Sequence, residues 1–337
     1  MMSLKHFKTS FITPEKTPLV IEPNGRLLSF AAFLSYLQDH REELRRHIFQ
    51  YGGILLRGFP IEGAEGFHRA VKELNLGHSL DYIGGDSPRD KVKEKVYTST
   101  EAPPSFKIAL HQEMSFTNQF PKNIYFYCET PPEKGGETIL GDARRINTTL
   151  NAQIRQEFQE RGLKYVSFYY GKSWIVDQVN KYKRAHKTWK EAFETEDRNE
   201  VEKKCSDREF KFQWHDREWL EVIQERPSEI IHPETEEQIW FNQAHLYDFN
   251  PRMIGFWNWV GTKMVYWGKN RLLHEIYYKD GKKIPRKNLY HILDVLDQCT
   301  IRFPWQKGDL LVLDNILMMH GRAPFQGKRR ILTTMTR

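Results

Sequence analysis

The chain has 337 residues, 39% of them hydrophobic and 28% charged, with 51 Lys and Arg against 44 Asp and Glu for a net charge of +7. This is an ordinary globular composition with enough chain for one large core or two modest ones, and it excludes a disordered, fibrous or disulfide-built protein. The positive excess favours acidic partners. It is spread along the chain rather than gathered on one face or tail, so no nucleic acid is expected as a partner.

The N-terminal stretch MMSLKHFKTSFITPEKTP has neither an apolar h-region nor a cleavage-type end, and no apolar run reaches membrane-spanning length. A cytoplasmic protein with no membrane partner is expected. Cys128, Cys205 and Cys299 are far apart and form no CxxC pair, which points to free thiols rather than a zinc knuckle or a disulfide framework.

Residues 1–26, rich in Pro, Lys and Thr, read as an extended lead-in. From Leu27 to Tyr51 the apolar residues Leu28, Phe30, Phe33, Leu34, Leu37, Leu44 and Ile48 fall at helical spacing, and Gly52-Gly53 stops the helix. Ile54 to Pro60 reads as a short buried strand, and a second helix is expected from Gly63 to Leu76, giving an N-terminal helical portion over residues 27–80. Asn123 to Cys128 is rich in β-formers, Glu137 to Leu140 is a further strand, and Asp142 can cap a helix running to Arg161. Residues 178–226 mix Lys, Glu, Arg and Asp with Trp and Phe; they read as a solvated helical insertion, with a lid over the active site as the alternative. Two strands, Asp309 to Met319 and Arg329 to Met335, flank the Gly- and Pro-containing loop Gly321 to Lys328.

The strongest chemical signal is Leu110-His111-Gln112-Glu113-Met114-Ser115-Phe116. In an extended segment residues i and i+2 share a side, so His111 and Glu113 can offer an imidazole nitrogen and a carboxylate oxygen to one metal. A third, distant His completes the two-His-one-carboxylate face that suits iron(II) when three positions must stay open. His320, at the end of an apolar strand, is that candidate. The pair Arg329-Arg330 follows on the next strand and can supply a fork for a carboxylate, as a chelating keto acid would need.

In this setting the runs Gly53 to Phe59, Tyr97-Thr98-Ser99-Thr100, His111 to Ser115, Pro131 to Asp142, Trp240 to Gln243, Trp305 to Asp309, Leu313 to Arg322 and Arg329 to Leu332 fall in a familiar order. With them the chain resembles the taurine dioxygenase family in the broad sense, within the clavaminate-synthase-like fold, and the branch of the syringomycin biosynthesis hydroxylase. The resemblance implies a mainly β protein with surrounding helices, a double-stranded β-helix or jelly-roll barrel forming one domain over residues 1–337. It implies His111, Glu113 and His320 as iron(II) ligands, and Thr138 together with Arg329 or Arg330, Arg329 preferred, as the 2-oxoglutarate contacts. Oxygen is the remaining co-substrate. The implied reaction hydroxylates an unactivated C–H of an amino acid or amino-acid-derived small molecule, free or tethered to an acidic carrier protein, and releases succinate and carbon dioxide. Glu113 stands where many members have Asp and where related halogenases have Gly or Ala, which argues for oxidation over halogenation.

Two other readings compete. A metal-dependent hydrolase or isomerase could use the same triad but needs no keto-acid fork. A non-catalytic barrel binding an acidic partner would not need all three ligands. Of the other candidates, His186, His215 and His232 are expected in solvent, His245 as structural or substrate-facing, and Trp240 and Trp305 in the core. Asp314-Asn315 are expected to shape the strand before His320, and Arg322 to hold the keto acid, a loop or a structural salt bridge.

Overall fold

The computed structural model describes residues 7–25, 28–80, 91–93, 96–99, 102–172, 174, 177–178, 187–265 and 273–337. Its largest sheet has eight strands in the order Phe7–Phe11, Leu19–Pro23, Gly53–Leu56, Leu310–Asp314, Asn123–Thr130, Arg330–Thr336, Val96–Thr98 and Lys91–Lys93. The central strands read as almost unbroken apolar runs because both faces are covered. Alternate residues serve two cores. Ile54, Leu56, Tyr125, Tyr127, Leu310, Val312 and Leu332 pack under the helices Phe30–Asp39, Arg41–Tyr51 and Gly63–Leu74. Leu55, Ile124, Phe126, Leu311, Leu313, Ile331 and Met335 face the other way, onto Leu110, Ile139, Leu140, Met318 and Met319.

That second core is shared with a three-stranded sheet of Ile108–His111, Met318–Arg322 and Thr138–Asp142. A four-stranded sheet of Lys211–His215, Trp219–Arg226, Leu163–Tyr169 and His274–Tyr278 lies beyond it, together with two small two-stranded sheets. Among the described residues the sheets do not join into one closed barrel, and no helix is long and apolar enough to cross a membrane. The ends of two neighbouring inner strands of the large sheet, Gly53–Leu56 and Leu310–Asp314, are fastened by Arg57, whose Nε and Nη2 donate to the two carboxylate oxygens of the fully buried Asp309 at 3.0 and 2.7 Å. Such a pair is costly to break from one side, since the buried carboxylate would be left without its cation.

Three sequence expectations change in detail, besides the strand expected over Asp309 to Met319, which is two strands in different sheets, Leu310–Asp314 and Met318–Arg322, parted by a turn in which Asp314 accepts from Ile316 N and Leu317 N. The helix expected over 27–51 is two helices that turn at His40 (φ −110°, ψ 15°). Gln38 to Glu43 contains no apolar residue, so there is no buried face to carry one straight helix through. Ser29 caps the first by accepting from Ala32 N, and Gly52, at φ +71°, ends the second. Asp142 caps a helix as expected, but that helix ends at Thr149, and Asn151 starts another by accepting from Gln153 N and Ile154 N. The third change concerns the charged stretch. Its residues 189–206 contain the helices Trp189–Phe193 and Arg198–Ser206, whereas 211–226 is a β-hairpin that pairs with Leu163–Tyr169. Leu220, Val222 and Gln224 are buried on alternate positions, the period-two signal of a strand. Trp189, Phe193, Val201, Cys205, Leu220 and Val222 form their own small core. Residues 179–186, with His186, lie outside the described residues.

Within the three-stranded sheet, the strands Met318–Arg322 and Ile108–His111 approach closely at Gly321. A Cβ there would drive into the Ile108 carbonyl oxygen and lie 3.0 Å from the carbonyl carbon of Ala109. We expect Gly321→Ala to cost about 1–3 kcal/mol by overpacking. Urea unfolding followed by circular dichroism measures it, and an unchanged midpoint would show that the strands have room to part.

Candidate active site

The strand Met318–Arg322 runs between Ile108–His111 and Thr138–Asp142. The register sets His320 opposite His111 on one side and opposite Leu140 on the other, while Arg322 faces Thr138. The two imidazole rings stand 4.5 Å apart. Glu113 completes the group. Its Oε2 lies 3.6 Å from His320 Nε2, and one donor atom from each of the three residues falls within 4.8 Å of the others.

The protonation of the group suits a cation. His111 donates its Nδ1 hydrogen to the Ala109 carbonyl at 2.9 Å, which leaves Nε2 as the lone pair. Burial, and then the nearby charge of His320, push the His111 imidazole down to about 3, so it is neutral and ready to ligate. Among the described residues, the buried Nδ1 of His320 finds no hydrogen-bond partner. Two imidazoles and a carboxylate with their donor atoms so close together fit a divalent first-row metal such as iron(II).

Glu113 does not reach the site as an extended neighbour of His111. The strand ends at His111, and Gln112 to Ser115 form a turn in which Met114 adopts φ +54°, a left-handed conformation rare for a residue with a side chain. The buried side chains Gln112 and Asn315 hold this turn. Gln112 Nε2 donates to the carbonyls of Trp240 (2.8 Å) and Ile316 (3.2 Å). Asn315 Oδ1 accepts from Glu113 N at 2.7 Å.

An open cleft of about 380 Å³ adjoins the triad, lined by Ser99, Ile108, His111, Phe126, Thr138, His320, Gly321, Arg322 and Arg329. The Arg329 guanidinium donates from Nε to the Gly136 carbonyl (2.9 Å) and from Nη1 to Ser99 Oγ (3.1 Å). Among the described residues it has no carboxylate partner. Burial, and then the charge of Arg322, push it down to about 10. Arg330 points the opposite way, as strand alternation requires, and pairs at the surface with Glu129 at 2.6 Å. Thr138 is buried in the cleft wall. Arg322 donates to three backbone carbonyls, Ala102 (2.9 Å), Pro103 (2.7 Å) and Phe106 (3.0 Å), and so fastens that segment beside the cleft. Ser99 lay within a motif of the sequence reading without a role; its hydroxyl now supports Arg329.

The remaining candidates fall as follows. His232 is not in solvent: it is buried, donates from Nε2 to Asp314 Oδ2 at 3.0 Å, and accepts at Nδ1 from the amides of Glu234 and Thr235. Asp314 in turn accepts from Ile316 N and Leu317 N, so the pair braces the turn before the His320 strand. His215 is half-buried against Glu221 at 2.8 Å. His245 is buried, with Nε2 on the Leu110 carbonyl at 2.8 Å, and burial pushes it down to about 4. Trp240 and Trp305 are core residues.

A model of the taurine catabolism dioxygenase TauD, TfdA family matches residues 15–336. The dapdiamide synthesis protein DdaC of Enterobacter agglomerans is 32% identical over 280 residues, covering 83% of this chain and 80% of that protein. A clavaminate synthase-like protein of Arabidopsis thaliana is 27% identical over 94% of this chain and 93% of its own. Among solved structures, PvcB of Pseudomonas aeruginosa superposes with a TM-score of 0.54 at 15% identity, covering 99% of this chain and 92% of that one. These likenesses extend over almost the whole chain.

The geometry leads to a direct test of the triad. His111→Ala and His320→Ala should each abolish stoichiometric binding of iron(II) or cobalt(II) while the far-ultraviolet circular dichroism is retained. Titration of the metal-free protein reads this, and full-affinity binding in either variant would remove the assignment.

Proposed function

The chain belongs to the TauD, TfdA family of 2-oxoglutarate-dependent dioxygenases, and from this premise we propose that His111, Glu113 and His320 hold iron(II) while Arg329 and Thr138 receive 2-oxoglutarate. The observation that carries the reading is Arg329: a half-buried guanidinium with no carboxylate partner among the described residues, in the same cleft as the triad. A guanidinium fork aimed into such a cleft binds a carboxylate with both charge and geometry. A hydrolase or isomerase would have no use for it. We read the eight-stranded and three-stranded sheets, facing each other across the central core, as the two walls of the double-stranded β-helix that the family implies.

When bound, the iron supplies the oxygen chemistry that couples decarboxylation of 2-oxoglutarate to succinate with hydroxylation of a substrate C–H. The chain's own work is to bind and orient. His111 presents a neutral imidazole, His320 a second imidazole and Glu113 a carboxylate, and Ser99 and the Gly136 carbonyl aim Arg329. Phe126, 5.2 Å from the His320 ring, walls the cleft with apolar surface that keeps water out. The carboxylate at Glu113 fills the place a halide would take, which supports hydroxylation over halogenation. Arg329→Ala should weaken 2-oxoglutarate use by about 2–5 kcal/mol, the range for removing one side of a buried charge pair. Arg330→Ala should leave it unchanged. Succinate release against 2-oxoglutarate concentration measures both, and equal, small effects would sink the co-substrate assignment.

For the substrate we propose an amino acid or an amino-acid-derived small molecule, in line with the relative named for dapdiamide synthesis. The syringomycin-type branch, with a substrate tethered to an acidic carrier, keeps one specific support. Within 178–226 Lys and Arg are matched one for one by Asp and Glu, so that stretch is not the basic surface. Lys190, Arg198, Lys204 and Lys211 are also paired there with Glu196, Glu218, Glu200 and Glu225. The positive excess lies mainly after residue 226, and Lys279, Lys282, Lys283, Arg286 and Lys287 stand exposed together on one turn and helix start. This patch is the better dock. Reversing Lys282, Lys283 and Lys287 to Glu should slow turnover of a carrier-bound substrate at least tenfold at low salt, and less at high salt. Turnover of the free amino acid at the same rate before and after reversal would exclude the tethered form.

A further inference from the structure

The carboxylate ligand is the one member of the triad outside the sheet ladder, and a single buried amide fixes its backbone from both sides. Asn315 Oδ1 accepts from Glu113 N at 2.7 Å, while Asn315 Nδ2 donates to Glu113 O at 3.0 Å and to Pro121 O at 2.8 Å. Asn315 is fully buried, and its own N–H donates to the Lys122 carbonyl at 2.8 Å. The amide therefore closes the loop 113–122 onto the end of the Leu310–Asp314 strand. Next to it, Gln112 Nε2 reaches the carbonyl of Ile316 at 3.2 Å, so consecutive residues 315 and 316 hold consecutive residues 112 and 113. The clamp holds against resistance, because Met114 immediately after Glu113 adopts φ +54°.

We propose that Asn315 is a positioning residue for the metal: it sets the backbone of Glu113 so that the carboxylate meets the two histidines. The requirement is chemical. The side chain at 315 must accept from one peptide N–H and donate to two carbonyls at once, and among residues of this size only asparagine carries both functions. Aspartate can accept from Glu113 N but cannot donate to the carbonyls of Glu113 and Pro121, and it adds a negative charge near the Glu113 carboxylate. Leucine keeps the volume and loses every bond. Groups that orient metal ligands change affinity by about 10–100-fold when removed, and this range is expected here.

The inference rests on the reading of the triad as a metal site, and the test separates the two. Metal-free wild type, Asn315→Asp and Asn315→Leu are titrated with cobalt(II), following its visible absorption and the heat of binding, with circular dichroism confirming the fold of each. We expect wild type to bind one ion and both variants to bind it at least tenfold more weakly, with altered band positions that report a displaced carboxylate. A variant that is less stable to heat but binds cobalt(II) within twofold of wild type overturns the proposal, since the amide would then serve packing alone. Failure of wild type to bind any ion overturns the metal reading and this inference with it. Amide hydrogen exchange in the wild-type protein keeps the test decisive where a variant does not fold. The Glu113 N–H should exchange as slowly as the core strand Asn123–Thr130, and rapid exchange at Glu113 would refute the clamp.

Discussion

Everything at this site depends on one register, His320 opposite His111. Side chains alternate along a strand, so a slip of one residue would turn His320 away from the cleft and carry Arg322 with it. The same register sets Arg322 across from Thr138, which places the metal ligands and the cleft wall on one face of one strand. Gly321 sits between His320 and Arg322, and its missing side chain is what allows the neighbouring backbone of Ile108 and Ala109 to come so near. Register is strongly specified where one face is buried, and Met318 and Met319 supply that anchor by packing into the central core.

A site built this way gathers charge that water would otherwise solvate. Buried charge is compensated unequally across the chain. Asp309 is met by Arg57 and Asp314 by His232, so those buried carboxylates are closed within the protein. In the cleft, Arg329 is supported among the described residues by a hydroxyl and a carbonyl, and the like charge of Arg322 adds to the cost of its burial. A dianion entering the cleft relieves both terms at once. The physical content of the 2-oxoglutarate assignment is this imbalance, which a closed salt bridge would have removed.

Much of the site was legible from the sequence because its parts are signalled locally. The Gly-Gly stop at 52–53 and the Asp142 cap follow from short-range chemistry, and both stand in the structure, whereas the apolar run read as one strand up to Met319 is two, with His320 in the middle of the second. Strand alternation said only that one of Arg329 and Arg330 can face the cleft, the resemblance favoured Arg329, and Glu129 at the surface accounts for the second arginine. What was not legible depends on distant partners. His232 looked solvated because its neighbours in sequence are polar, yet Asp314, 82 residues away, draws it inside. The hairpin at 211–226 was obscured by its charges, although Leu220, Val222 and Gln224 carry the strand period. Ser99 had no readable role, and Asn315 was read only as shaping the strand before His320, since each acts on a group more than 200 residues off.

The difference between the two kinds of ligand has a consequence for what this fold can do. His111 and His320 belong to a hydrogen-bonded ladder, so moving either means re-registering a sheet whose every strand packs into the central core. Glu113 is held in a turn through its backbone, by bonds that do not involve its own side chain. The residue type at 113 can therefore vary without disturbing what positions it. A shorter carboxylate would draw the oxygen back by one methylene, and a residue without a side chain would open a coordination place for an outside anion. The scaffold thus separates a fixed pair of imidazoles from an exchangeable third position, and in this chain a carboxylate occupies that position, where it would add a negative charge to any metal the three residues held.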